Sequence, residues 1–161
     1  MEAAKRVLKM VRDKYPGYDV YQICEAEGII IHRAEMQEDC EGFYLPLEEG
    51  RVILVKAGLP PQVEREVIAH ELYHHFYGVQ EDFEGMERRR FLDMLPYLRD
   101  ENEANDFSAL LICPHIKDCR SVHEVMAKYD CSKETAKRRR KVEEAINAKG
   151  GHRNGLSEEE G

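Results

Sequence analysis

Five residues in the middle of the chain, His70-Glu71-Leu72-Tyr73-His74, constrain its fold more than any other segment. They sit in a stretch, Gln62 to Tyr77, whose apolar residues occupy nearly every face at helical spacing: Val63 and Val67 on one side, Ile68, Leu72 and Phe76 on the other. A helix apolar all round is a buried one. Pro60 and Pro61 suit its first turn, and Gly78 is expected to stop it. Two histidines and a carboxylate facing inward on such a helix are costly unless something pairs them. At about 100° per residue, His70 and His74 stand one turn apart on one face, so both imidazoles can reach one ion with Glu71 beside them. His75 lies about 100° further round and is expected at the surface or behind the ligands.

This is the arrangement of two zinc ligands and a base. Zinc in a hydrolase takes three protein ligands and keeps a position open for water, whose proton Glu71 could take and pass to a departing amine. A chain this rich in His and Glu would show the pattern by chance in roughly 4 of 100 cases, so its place on a buried helix carries the argument. A third ligand should come from another element. The helical pattern from Asp100 to Ile112 offers Glu101 and Glu103, which point about 200° apart, so only one can face the metal. Glu101 shares its face with Asn105, which could orient a ligand carboxylate, whereas Glu103 could close a capping box with Asp100; Glu101 is preferred.

Around this helix the pattern changes period. Ala4, Val7, Leu8 and Val11 predict an amphipathic helix ended by Pro16 and Gly17, and a second short helix follows Asp19 with Val20, Ile23 and Cys24 inward. Gly28 to His32, Gly42 to Leu47 and Arg51 to Val55 read as strands, with Glu48, Glu49 and Gly50 as a hairpin turn. The expected fold is therefore α+β, a small and largely antiparallel sheet packed with the HExxH helix and a second ligand helix. Gln80 to Asp100 reads as a partly helical connection. Ser121 with Glu124, and then Ser132, cap two further helices that resemble a helix-turn-helix.

At 161 residues there is room for one core with a small appended element. The expected division is a zincin-like domain over 1–118, a C-terminal helical pair over 119–149 packed on it, and a disordered tail over 150–161. No apolar run is long enough to span a bilayer, and five cysteines with no CxxC pair suit a reducing cytoplasm. The net charge of −8 hides an asymmetry: residues 131–153 carry eight Lys/Arg against three Glu. That basic helix, with Lys137, Arg138, Arg139, Arg140 and Lys141 in sequence, leaves a second reading open, a non-catalytic zinc-containing regulator acting by DNA binding or repressor docking. Cys113, His115, Cys119 and His123 offer a second zinc site, at a spacing that fits no finger pattern. Tyr73, Tyr77, Tyr97, His115 and His123 are candidates for stabilising an oxyanion, and the strand at Gly42, Phe43 and Tyr44 offers an edge to an extended peptide.

Several segments together resemble one family: Gly28-Ile-Ile-Ile, Gly42-Phe-Tyr, Val52 to Val55, Val67-Ile-Ala-His-Glu-Leu-Tyr-His-His, and Glu101-Asn-Glu-Ala-Asn-Asp-Phe-Ser-Ala-Leu-Leu-Ile-Cys-Pro. The chain is similar over most of its length to the ImmA/IrrE metallopeptidases, small zinc proteases often carried by phages, integrative elements and stress regulons. Tyr73, Ser108 and Cys113 depart from residues common there, and none is a proposed ligand. The resemblance implies a gluzincin-like site with one zinc held by His70, His74 and Glu101, Glu71 as catalytic base, and a helix-turn-helix repressor or similar regulator as the protein substrate. The cysteines and the lack of a long apolar run make the expected setting cytoplasmic, with no membrane partner.

Overall fold

The computed structural model describes residues 1–47, 50–80 and 101–151. Helix α1 (Glu2–Lys14) buries Ala4, Val7 and Val11, one stripe at helical spacing. Helix α2 (Val20–Ala26) is started by a capping box in which Asp19 accepts from the Gln22 N–H and the Gln22 side chain accepts from the Asp19 N–H. Gly28, at φ +66°, turns the chain out of α2 into strand β1 (Ile29–Ala34), a left-handed conformation that favours glycine.

Strands β2 (Gly42–Leu47) and β3 (Gly50–Lys56) pair antiparallel, while β1 pairs with β3 in parallel, giving the order β1-β3-β2. The sheet is thus mixed, not largely antiparallel. Its cause is the connection from β1, which passes over the end of β3 and places β2 on the far side, so the third strand is inserted centrally. The expected turn residues Glu48 and Glu49, and the connection expected between Gln80 and Asp100, lie outside the described residues.

Helix α3 (Pro61–Gln80) crosses one face of the sheet. It runs through Gly78 instead of stopping there, because one glycine costs a helix only about 1 kcal/mol. Ile68, Leu72 and Phe76 pack with Ile53 and Val55 of β3, with Val7 and Val11 of α1, and with Ala104, Phe107 and Leu111 of helix α4 (Glu101–Ile112). A smaller cluster of Cys113, Ile116, Val125, Cys131 and Ala136 seats helix α5 (Val122–Tyr129) and helix α6 (Lys133–Gly151). Between them Asp130 takes the left-handed conformation, at φ 48°. All five cysteines are free thiols; burial pushes the Cys24 thiol up to about 12. No described helix is long and apolar enough to cross a membrane.

The run from Lys137 to Lys141 does not form one open basic face. Arg138 donates to Asp106 at 2.6 Å and to the Asn102 carbonyl, and buried Arg139 donates to the Cys113 and Pro114 carbonyls and to Glu143. Arg140 donates to the Cys119 carbonyl, which leaves Lys137 and Lys141 as the exposed members. The N-terminus of α6 is fastened to α3: Glu66 accepts from both the N–H and the hydroxyl of Ser132 at 2.6 Å, and the Ser132 hydroxyl oxygen accepts from the Thr135 N–H. Ser132→Ala removes that cap, and thermal denaturation should register a loss of about 1 kcal/mol, or roughly 3 °C in Tm.

Candidate metal centre

Helix α3 presents its polar residues in two stripes. His70 and His74 form the first, with Nε2 atoms 3.3 Å apart and His74 buried. Glu101 meets them from the first turn of α4, its Oε2 3.0 Å from His70 Nε2 and its Oε1 4.0 Å from His74 Nε2. An ion held tetrahedrally by bonds of roughly 2 Å keeps its ligand atoms about 3.3 Å apart, and the three observed separations bracket that value. On the His70 ring, Nδ1 lies 3.0 Å from Asn105 Oδ1, so the amide oxygen can accept from Nδ1–H and leave the Nε2 lone pair facing Glu101. Asn105 therefore partners His70 directly. Burial works against charging His70, yet the bond to Glu101 and the charges of Glu71 and Glu101 outweigh it and hold the imidazole above the usual histidine range. A pocket that favours positive charge between two imidazoles and a carboxylate has the donor chemistry of a divalent metal site.

Glu103 goes elsewhere. Its carboxylate accepts from the Ala4 N–H at 2.7 Å and from the amine of Met1, so it tethers the start of α1. Among the described residues, His70, His74 and Glu101 are the group of three or more potential ligands that gathers, with ligand atoms within 4.8 Å of one another. The run at Cys113, His115, Cys119 and His123 forms no such group; Cys113 Sγ instead contacts Cys131 Sγ at 3.7 Å.

The second stripe, Glu71 and His75, continues the line of the apolar Val67 at four-residue intervals and faces β2. Buried Glu71 accepts from the Tyr44 N–H at 2.8 Å. Gly42 sits so close to α3 that a Cβ there would fall 2.3 Å from Val67 Cγ1 and 3.4 Å from Glu71. That approach is why strand and carboxylate can meet. Of the two expectations for His75 the surface one is corrected: the residue is 2 % exposed, in the core, with Nδ1 3.0 Å from the Tyr44 hydroxyl and Nε2 3.2 Å from Glu27. A helix buried on every side has no surface position there. Glu27, at the end of α2, had no distinguishing pattern in the sequence.

His70 and Glu101 of the metal group line a cleft of about 810 Å³ together with Gly42 and Glu71, and exposed Glu38, Asp39 and Glu41 line it too. None of the described oxyanion candidates lines it. Tyr73 is buried and stacked on Tyr77, and His115 and His123 lie in the C-terminal part; Tyr97 is outside the described residues.

No curated protein matches the chain. The family model described as the IrrE N-terminal-like domain, Peptidase_M78, matches residues 24–144, from the second helix into the last. With the HExxH helix, the second carboxylate helix and the cleft all inside that span, the chain belongs to the IrrE N-terminal-like family of metallopeptidases.

Proposed function

We propose that this protein is a zinc-dependent, gluzincin-like endopeptidase of the cytoplasm that holds one zinc per chain through His70, His74 and Glu101 and uses Glu71 as its general base. The observation that carries the reading is the convergence of those three ligand side chains beside a buried carboxylate, Glu71, that lines an open cleft. Zinc bound there supplies Lewis-acid polarisation of a scissile carbonyl and brings water towards ionisation near neutral pH. Glu71, held at one oxygen by the Tyr44 N–H, would take a proton from the attacking water and deliver it to the leaving amine. Asn105 holds the His70 ring in the tautomer that presents Nε2.

The proposed substrate is a helix-turn-helix repressor or similar regulator, entering the cleft as an extended segment. The domain division also belongs to this reading, with residues 1–118 carrying the chemistry and 119–149 a packed accessory pair. Direct DNA binding is the weaker reading of the basic helix, since Arg138, Arg139 and Arg140 are all engaged inside the protein. The test is elemental analysis of purified protein. Wild type and Glu103→Ala should each retain one zinc per chain, and Glu101→Ala should lose most of it at micromolar free zinc. Zinc retained by Glu101→Ala at full stoichiometry would remove Glu101 from the ligand set.

A further inference from the structure

Tyr44 is held at both ends by α3. Its backbone N–H reaches Glu71, and its hydroxyl reaches His75, one helical turn on. Glu27 can only accept, so the His75 Nε2 that faces it carries a hydrogen, and in the neutral imidazole Nδ1 then accepts from the Tyr44 hydroxyl. Glu27 is itself fixed: Lys14 donates to it at 2.7 Å, and the Tyr15 hydroxyl donates to the same oxygen. The bond from His75 is the largest influence on its acidity and, with those from Lys14 and Tyr15, outweighs burial, holding the carboxyl below the usual range and therefore ionised. A chain of directed bonds thus runs from α1 and the end of α2, through the core, to β2.

Strand β2 is at the edge of the sheet, so β3 secures it on one side only. Lys56 donates to the Glu41 carbonyl across the ladder, and by antiparallel alternation Gly42, Tyr44 and residue 46 turn their backbone nitrogens outward. The sheet therefore sets the Tyr44 N–H in direction but does not fix its distance from α3. The bond between the Tyr44 hydroxyl and His75 does, because the phenol ring spans strand and helix within the core. Burying a tyrosine, a histidine and a glutamate costs more desolvation than an apolar trio of the same volume, and the return is one fixed geometry.

We propose that His75 is a positioning residue for Glu71, acting through Tyr44: the His75–Glu27 pair anchors the phenol, and the anchored strand aims the Tyr44 N–H that fixes the Glu71 carboxylate. This rests on Glu71 being the base of the metallopeptidase, and the test keeps the two apart. The Tyr44 amide proton in nitrogen-15-labelled, zinc-loaded full-length protein reports the bond to Glu71 directly. Glu71→Ala defines its position when the bond is lost. In His75→Leu the signal should move upfield toward that position and exchange with solvent about tenfold faster, while zinc content stays at the wild-type value. Tyr44→Phe removes only the hydroxyl and should move the residue 44 amide the same way; the double variant should move it no further than either single one. A wild-type shift and exchange rate in both single variants would overturn the proposal. Absence of zinc from the wild-type protein would instead count against the metallopeptidase assignment, with the amide result unaffected.

Discussion

Exchange of Glu71 for glutamine is expected to leave zinc bound and to lower peptide-bond cleavage by roughly 10²–10⁴-fold, the usual contribution of a positioned proton acceptor. Glutamine keeps an oxygen that can accept from the Tyr44 N–H, so the side chain should remain where it is while losing its basicity. His74→Ala should lose metal and cleavage together, because His74 supplies one of the three converging ligand atoms. The two variants separate base from ligand when metal content and cleavage of a co-produced regulator are measured on the same preparations. Full activity in Glu71→Gln would sink the proposed mechanism.

Gly42→Ala is the second large effect. Its Cβ would sit 2.3 Å from Val67 Cγ1, closer than real contacts allow, and 3.4 Å from the Glu71 side chain. Either β2 lifts away from α3 or Val67 leaves its position in the core, and both strain the Tyr44–Glu71 bond. Overpacking of this kind costs about 3 kcal/mol, or roughly 6–12 °C in Tm for a chain of this size. Because the obstruction is a methyl group of one side chain, Val67→Ala in the same molecule should restore much of the stability lost. A Tm for Gly42→Ala within a degree of wild type would show that strand and helix are not in the close contact described.

Much of this architecture is legible in the residues because it is local. Helical spacing in Ala4, Val7 and Val11, the cap at Asp19 and the all-round apolarity of the HExxH helix each determine their element without help from the rest of the chain. The face shared by His70 and His74 follows from helix geometry alone, and the separation of Glu101 from Glu103 by about 200° correctly says that they go different ways. What the residues do not show is non-local. Pairing of β1 with β3 depends on a connection whose path no pattern of two records. The Tyr44 N–H, although it holds the candidate base, belongs to the backbone, so no side chain marks it. Glu27 lies 48 positions from His75, and nothing near Glu27 signals a partner. The arginines of the last helix mislead for the opposite reason: a run of cations looks solvated until the carbonyls and carboxylates that accept from it are placed around it.

The outward side of β2 has a bearing on self-association. Exposed edges are where folded proteins add stray strands and begin to aggregate, by offering a row of unused donors and acceptors. Of the three outward positions on this edge, Tyr44 gives its N–H to Glu71, and Pro46 has none to give. A second chain laid along the whole strand would thus find consecutive donors missing. Only near Gly42, beside the candidate metal group, does an outward N–H remain uncommitted to Glu71. The same two residues make the edge a poor template for fibrils.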